Sequence, residues 1–417
     1  MVSLITEQRL PFLFLIAIAG LLGTLGGASS AVAQPQDSYF PPYGDWQRRA
    51  PSELGVNKRR LNAAVNFARA NENPALKDLE KNQPMVRGKE PLDTPLGPFR
   101  DRGPQAGLVI KDGYIVAEWG DTSRVDMTFS VTKSFLSTTV GLAVDDGLIR
   151  DVHDPVRDYF ATVVLPVGDG EPGREQDGIG TGDAISLFES AHNRKITWDH
   201  LLRQTSDWEG TLWGKPDWAD RPGDDLQANR FRDRNPPGSV YKYNDVRVNL
   251  LALAALQVWR QPLPQVLKQR VMDPIGASSS WRWHGYENSW VTIDGLQINS
   301  VSGGGHWGGG MHLSAFDQAR FGLLLLNQGR WDTKQLLSER WLAMAETPGK
   351  VNTGYGFMNF YFDENNTGAD KNNGISHFGA GTNMIHIDRK NNLVVVARWI
   401  QSKAIPEFLE KITAALR

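Results

Sequence analysis

The stretch that decides the fold is residues 129–137, which read FSVTKSFLS and continue into the run TTVGLAVDDGLI. Ser130 opens this segment and Lys133 stands three residues later. Because residues i and i+3 are neighbours on one helical face, the lysine amine of a helix here can reach the serine hydroxyl. A mostly buried helix that ends at Gly147 is predicted from the apolar residues Phe135, Leu136, Val140, Leu142, Ala143 and Val144.

This pair of side chains allows two interpretations. A serine hydroxyl is a weak nucleophile until a base removes its proton, and a lysine can be that base when burial or neighbouring charge favours its neutral form. The helix N-terminus also supplies backbone N–H groups that favour developing negative charge. The alternative is a structural role, in which Ser130 caps the helix and Lys133 is a solvated side chain.

A second Ser-x-x-Lys, Ser239/Lys242, shows that the bare pattern is not specific. It follows Pro236-Pro237-Gly238, where an extended backbone is expected to direct residues i and i+3 to opposite faces. We therefore take Ser130/Lys133 as the candidate pair.

Hairpin signals lie at both ends of the chain, with helical patterns between them. Asp112-Gly113 separates two alternating apolar runs, and a second hairpin is predicted at Asn391-Asn392. Helices are predicted at 57–70 and from about 406 to 416, whereas 74–102 and the glycine-rich, acidic 161–194 are predicted to be irregular. The pattern predicts an α+β fold (an α/β sandwich), with an antiparallel sheet built from both ends of the chain, flanked by helices, and a mostly helical insertion.

The composition excludes several classes of protein. A formal net charge of -2 without any Lys/Arg run argues against a nucleic-acid partner. The chain has no cysteine, so it forms no disulfide and is not a thiol enzyme. It has no Walker loop, no G-x-S-x-G and no H-E-x-x-H, and His306 and His312 are interpreted as structural.

The N-terminal segment has the three parts of a secretory signal peptide. Arg9 precedes an apolar run at 11–22, and Ala31-Val32-Ala33 forms an A-x-A end. Cleavage after Ala33 predicts a periplasmic or secreted protein without stable membrane insertion. An uncleaved anchor is the alternative, although the apolar run is short for a full span.

Two further motifs stand far from Ser130 in the sequence. They are Tyr243-Asn244-Asp245, before a helical segment, and His377-Phe378-Gly379-Ala380-Gly381, in a strand-like segment. With Ser130-Val131-Thr132-Lys133 they follow the order and approximate spacing of the active-site elements of serine beta-lactamases and penicillin-binding proteins. ITWDHLLRQTS (196–206) and GGGMHLSAFDQARFGLLLLNQG (308–329) also look like longer segments of that group. The chain resembles the class C beta-lactamase-like serine hydrolases, which include D-alanyl-D-alanine peptidases, esterases and aminohexanoate-dimer hydrolases.

The resemblance implies a role for each matched residue. Ser130 would attack a carbonyl carbon and become acylated, and Lys133 would take or relay its proton. Tyr243 would act with the lysine as general base and then protonate the leaving group. The backbone N–H groups of Ser130 and Ala380 would form an oxyanion hole. No metal or cofactor is implied, and the expected partner is a small or peptide-like ester or amide.

The sequence departs from the family's pattern at Asp245 and at His377-Phe378. Asp245, His377 and Gly379 are expected to bind substrate. Asp245 replaces the family's asparagine, so an amide donor becomes an acceptor that could pair with Lys133; alternatively, Asp245 is the N-cap of the following helix. His377-Phe378 replaces the Lys-Thr of a Lys-Thr-Gly segment. A fixed cation and a hydroxyl that would hold a substrate carboxylate are thereby lost, which argues against antibiotic hydrolysis.

These expectations define the predicted organisation. Residues 1–33 are the signal peptide, 34–150 and 300–417 the α/β domain, and 151–299 the insertion, with the active site between them. The predicted function is an exported serine hydrolase that cleaves an amide or ester bond through an acyl-enzyme. The alternatives are a catalytically silent penicillin-binding or sensor-like protein on the same scaffold, a true beta-lactamase, and a D-Ala-D-Ala carboxypeptidase. A glycan-binding module is supported only by the fourteen tryptophans.

Overall fold

The computed structural model describes residues 39–87, 90–160, 163–164, 184–361 and 374–416. The expected signal peptide and most of the stretch at 161–194 lie outside these ranges. Within them, no helix combines the length and the apolar character that crossing a membrane requires.

The elements of the described residues are numbered in chain order. The helices are α1 (Lys58–Ala70), α2 (Leu79–Arg87), α3 (Thr132–Asp145), α4 (Trp198–Leu202), α5 (Leu226–Phe231), α6 (Asp245–Trp259), α7 (Leu263–Leu267), α8 (Ala315–Leu326), α9 (Glu339–Ala345) and α10 (Ile405–Ala414). The strands are β1 (Ala106–Lys111), β2 (Tyr114–Trp119), β3 (Asp126–Met127), β4 (Val163–Val164), β5 (Ala184–Ile185), β6 (Thr211–Leu212), β7 (Lys215–Pro216), β8 (Arg282–Ile293), β9 (Leu296–Val301), β10 (Gly310–Leu313), β11 (Arg330–Trp331), β12 (Lys334–Gln335), β13 (Phe360–Tyr361), β14 (Ile375–Gly379), β15 (Asn383–Asp388) and β16 (Leu393–Arg398).

The main sheet is antiparallel and is built from both ends of the chain, as the sequence predicts. Its strand order is β13-β14-β15-β16-β1-β2, and both predicted hairpins, β1–β2 and β15–β16, are present. Asp112 and Gly113 form the first turn with φ values of 53° and 86°. β1 joins the two halves of the sheet, because it pairs with β16 from Ala106↔Arg398 to Lys111↔Leu393.

Both faces of this sheet are covered by helices, which follows from the period-2 alternation of its strands. In β16, Val394 and Val396 belong to the core cluster that contains α8, whereas Val395 belongs to the cluster that contains α1 and α10. Gly322 lets α8 lie close to the sheet, since a Cβ there would come within 2.7 Å of Val394 Cγ1. The α/β sandwich is confirmed.

Helix α3 is buried on all sides, which places its first turn inside the molecule. It packs against α6, α7 and α9, and the turn that precedes it contacts β10, β14 and β15. A second sheet has the strand order β3-β10-β8-β4-β5, with β9 beside β8. Its strand β10 contacts the turn that precedes α3. The expected boundaries at residues 150 and 300 stay predictions.

The region predicted to be irregular at 74–102 contains a helix, α2, and that prediction was wrong. The sequence of α2, LEKNQPMVR, includes a proline, which argues against a helix interior. A tertiary contact that no local pattern reveals holds this segment: Gln83 Nε2 donates to the His306 carbonyl over 2.8 Å in the interior.

Candidate active site

Ser130 lies in a single 3-10 turn, 129–131, directly before α3. β10 holds this turn, because Thr128 donates from both its N–H and its hydroxyl to the Met311 carbonyl, each over 2.9 Å. Phe129 has a φ of 50°, a left-handed conformation that costs free energy for a residue other than glycine. The partly exposed hydroxyl of Ser130 is thus fixed at the positive end of the α3 dipole.

Lys133 lies in the first turn of α3, and only 1% of its side chain is exposed. Its Nζ is 2.8 Å from Ser130 Oγ and 2.5 Å from Asp245 Oδ1. The structure therefore brings together the serine and the lysine that helical spacing paired. The structural alternative was wrong on both counts, because Lys133 is buried and the N-cap of α3 is Val131.

Asp245 is the first residue of α6 and is also 1% exposed. Its expected pairing with Lys133 is confirmed, whereas the N-cap alternative was wrong, since Asn244 caps α6 by accepting from the Arg247 N–H. Burial opposes ionisation of Asp245, yet the surrounding ammonium, guanidinium and imidazole groups hold the pKa of its carboxyl well below the usual range. A buried carboxylate is therefore in contact with the lysine, and a contact of Asp245 with substrate stays a prediction.

Tyr243 lies on the open side of this pair and is partly exposed. Its ring centroid is 4.7 Å from Lys133 Nζ and 4.9 Å from the guanidinium carbon of Arg221. Two cation–π contacts thus orient the ring beside the lysine. The structure brings Tyr243 into the same group as Ser130 and Lys133.

The end of β14 lies against the serine. A Cβ on Gly379 would clash with the Thr128 carbonyl oxygen and would lie 3.1 Å from the Ser130 nitrogen, so the strand approaches this closely only with glycine. Ala380 follows as an exposed residue of the turn. The backbone of 379–380 is therefore next to the nucleophile, and the oxyanion hole that the resemblance implies at Ser130 and Ala380 stays a prediction.

His377 lies on the same strand but on its buried face, with 5% exposure. Its Nδ1 is 2.6 Å from the Ser134 hydroxyl. Burial, with Arg389 and His386 nearby, lowers the pKa of the His377 imidazole to about 3, so the ring is neutral at neutral pH. Its assignment to substrate binding stays a prediction.

The second Ser-x-x-Lys does not form a pair. The Ser239 hydroxyl donates to the Pro236 carbonyl over 2.6 Å, and Lys242 Nζ donates to Asn229 Oδ1 over 3.2 Å. The choice between the two motifs, made on backbone geometry, therefore agrees with the structure.

Comparison with known protein families identifies this arrangement. The family model described as Beta-lactamase matches residues 106–415, well over half of the chain. The chain belongs to the Beta-lactamase family. Membership makes it a serine hydrolase of the esterase or amidase type, related to the beta-lactamases, and confirms the resemblance drawn from the motifs. A search of curated protein sequences finds no significant match.

Solved structures that are similar to this chain share little sequence identity with it. A Bacteroides dorei protein provisionally named a beta-lactamase is 14% identical, with a TM-score of 0.52 over 75% of this chain and 94% of its own. EstCE1, described as a hydrolase with promiscuous acyltransferase activity, is 15% identical, with a TM-score of 0.50 over 86% and 98%. A Bacillus anthracis protein provisionally named a 6-aminohexanoate-dimer hydrolase is 17% identical, with a TM-score of 0.48 over 77% and 79%.

This member of the Beta-lactamase family has charged groups around Asp245 that the sequence did not reveal. Arg221 contacts Asp245 Oδ2 over 2.8 Å and Asp220 Oδ1 over 2.5 Å. His306, interpreted from sequence as structural, has Nδ1 3.1 Å from Asp245 Oδ2 and Nε2 2.6 Å from Glu90 Oε2. Two features of the sequence could have drawn attention to these residues. His306 lies in a glycine-rich run, and Arg221 lies in a long loop that contains tryptophans.

Three of these side chains could also be considered for a metal ion. Glu90, Asp220 and His306 offer ligand atoms that lie within 4.8 Å of one another. However, Asp220 Oδ1 is bonded to Arg221, and Asp220 also accepts the backbone N–H of Asp245. We therefore interpret the group as an ion-pair network.

An aromatic wall, defined as Tyr241, Tyr243, Tyr355, Phe360 and Phe378, adjoins the catalytic group. Ring centroids of neighbouring members lie 4.8 to 6.3 Å apart, from Tyr355–Phe360 at the closest to Tyr243–Tyr355. All but Tyr355 are partly exposed. The wall gives the open side of the site an apolar boundary.

Proposed function

We propose that the protein is an exported hydrolase that cleaves an ester or amide bond through an acyl-enzyme on Ser130. The observation that carries this proposal is the buried Lys133 Nζ, 2.8 Å from Ser130 Oγ. A serine needs a base within hydrogen-bonding distance to become a nucleophile. A catalytically silent sensor needs no such base, so the pair favours the enzyme over that alternative.

The proposed reaction has two steps. Lys133 Nζ takes or relays the Ser130 proton while Oγ forms a bond to the carbonyl carbon. The leaving group departs with a proton delivered through Tyr243, whose ring lies 4.7 Å from Lys133 Nζ. Water then attacks the acyl-enzyme, which releases the acid and restores the serine. The N–H groups of Ser130 and Ala380 stabilise the oxyanion in both steps.

The preferred substrates in this proposal are uncharged on the side that faces the aromatic wall. A neutral His377 offers no fixed cation for a carboxylate, and the wall offers apolar contacts. Linear esters or amides of apolar acids fit these features, whereas beta-lactams and D-Ala-D-Ala ends carry a carboxylate. Beta-lactams and D-Ala-D-Ala peptides remain the second candidate substrates because of family membership alone.

Export is proposed from the N-terminal pattern. Protein isolated from the native host should begin at Gln34, and N-terminal sequencing that finds Met1 retained would contradict it.

A fluorophosphonate probe tests the nucleophile. Labelling of the wild type, with the adduct located on Ser130 by peptide mass spectrometry, is expected. Ser130→Ala should lose labelling and ester hydrolysis, while Ser239→Ala, the serine of the unpaired motif, should retain both. Labelling lost in Ser239→Ala but kept in Ser130→Ala would overturn the proposal.

A further inference from the structure

Arg221 lies beside the catalytic group, and its contacts with other side chains use only one of its guanidinium nitrogens. Nη1 lies 2.5 Å from Asp220 Oδ1 and 2.8 Å from Asp245 Oδ2. Among the residues that the structure describes, Nε and Nη2 have no hydrogen-bond partner, and neither atom is buried. Because every nitrogen of a guanidinium is a donor, Arg221 keeps one edge, formed by Nε and Nη2, that is open to a ligand.

This open edge borders the entrance of the active site. The guanidinium carbon of Arg221 is 4.9 Å from the centroid of the partly exposed Tyr243 ring, and Lys133 Nζ is 4.7 Å from the same centroid. Asp220 and Asp245, which hold Nη1, are 0% and 1% exposed, whereas 31% of the Arg221 side chain is exposed. The side chain therefore extends from two buried carboxylates to the open side of the site, where substrate binds in the proposed function.

The backbone at Arg221 has a conformation that residues other than glycine rarely adopt. Its φ is 49°, in the left-handed region, and Pro222 follows it, which favours an extended backbone at the preceding residue. Asp220 accepts the Asp245 N–H, and the Arg221 N–H donates to Glu90 Oε1 over 3.3 Å, so contacts near the site hold this turn. Strained residues of this kind cluster at active sites and ligand clamps. The position of Arg221 is therefore maintained at a cost in free energy.

We propose that Arg221 is a specificity-determining residue, whose Nε–Nη2 edge donates hydrogen bonds to a neutral carbonyl or ether oxygen on the leaving group of the ester or amide. This proposal rests on the proposed function, because Tyr243, the neighbour of Arg221, delivers the proton to the leaving group there. Asp220 and Asp245 already contact the same guanidinium, so a leaving-group carboxylate would come close to two acidic side chains, whereas a neutral oxygen carries no such repulsion.

Two esters of the same acid test the contact. Butyl butanoate and 2-methoxyethyl butanoate have leaving groups of equal length, and only the second has an ether oxygen beyond the scissile bond. Arg221→Met removes every donor, so the ratio of kcat/KM for the methoxyethyl ester to that for the butyl ester should fall about tenfold from its wild-type value. Comparing this ratio between wild type and variant cancels the difference in intrinsic reactivity between the esters.

A purely structural role predicts a different result, because loss of the ion pairs of Arg221 would lower kcat/KM for both esters by the same factor. Arg230→Met is the matched control: Arg230 is an exposed arginine of the same loop, 5.1 Å from the ring centroids of Trp218 and Phe231. It should keep the wild-type ratio. Arg221→Lys, which retains a cation for the two carboxylates, provides the same test if Arg221→Met does not fold. An unchanged ratio in the folded Arg221 variant would overturn the proposal.

A binding measurement separates this proposal from the proposed function. In Ser130→Ala, calorimetry should show tighter binding of the methoxyethyl ester than of the butyl ester, and Arg221→Met in that background should remove the difference. Equal affinities, or no measurable binding of either ester, would overturn the proposal even if the wild type hydrolyses esters through Ser130. Carboxymethyl butanoate, whose leaving group carries a carboxylate, should bind more weakly than the methoxyethyl ester. Tighter binding of it that is lost in Arg221→Met would also overturn the proposal, since Arg221 would then select an anion.

Discussion

The His377 imidazole lies 2.6 Å from the Ser134 hydroxyl, one helical turn beyond Ser130 on α3. Its pKa of about 3 in the folded protein compares with about 6.5 in an unfolded chain. Between these values the unfolded chain binds the additional proton, so the free energy of unfolding falls as the pH falls through this window.

His377→Gln should weaken that acid sensitivity. Wild-type stability is expected to drop by about 2–3 kcal/mol more than that of the variant between neutral pH and about pH 4.5. Urea unfolding at the two pH values measures the difference, with the exposed His153→Gln as the control. Parallel stability curves for wild type and His377→Gln would contradict a neutral buried ring.

Lys133→Ala should abolish ester turnover, because the nucleophile and its base act as one unit. It should also destabilise the fold by roughly 3–5 kcal/mol, since Asp245 then loses a partner in a buried ion pair. Lys133→Ala/Asp245→Asn should recover stability but not turnover. Recovery of turnover in the double variant would remove the lysine from the mechanism.

Gly304→Ala tests whether catalysis depends on the exact position of the Asp245–Lys133 pair. A Cβ at Gly304 would overlap both Asp245 Oδ1 and Lys133 Nζ, so the pair must move. A displacement of about 1 Å at a catalytic group can cost about a hundredfold in rate, and a loss of that order in kcat is expected. Gly147→Ala is the control, because its φ of 73° strains an alanine while nothing lies within 4 Å. That variant should lose stability and keep its kcat.

Substrates that carry a carboxylate should be poor ones. With His377 and Phe378 in place of a lysine and a threonine, two charge-assisted hydrogen bonds of about 1.5–3 kcal/mol each are missing. The value of kcat/KM for nitrocefin is expected to be about a hundredfold or more below that for the best short ester. A higher kcat/KM for nitrocefin than for the best short ester would contradict this prediction and indicate a true beta-lactamase.

Phe378→Ala should change the choice of acyl group. Loss of a ring from the aromatic wall is expected to lower kcat/KM for a hexanoate or benzoate ester about tenfold, with little effect on an acetate ester. Phe231→Ala, which removes a ring that is 73% exposed, should affect neither. Equal losses on acetate and hexanoate would assign Phe378 a structural role.

The parts of the site that sequence could reveal are those encoded by local spacing or by motif. Helical spacing paired Ser130 with Lys133, and the resemblance located Tyr243 and Gly379. His306 and Arg221 were missed, because each lies in a loop without periodicity and meets Asp245 only through the tertiary structure. The helix α2 was missed for the same reason, since a distant contact rather than local propensity stabilises it.

The pairing of β1 with β16 also determines when this protein can fold. Ala106 is opposite Arg398 in the centre of the main sheet, so the early hairpin has no neighbour on its inner edge until the C-terminal strands have been made. Closing so long a loop has an entropic cost that must be met before the contacts form, which makes such topologies slow to fold. A ribosome-bound chain that ends before Leu393 exposes an unpaired apolar strand edge, a known template for aggregation. Completion of the C-terminal strands, rather than synthesis of the serine-lysine helix, is therefore the step after which the site can assemble.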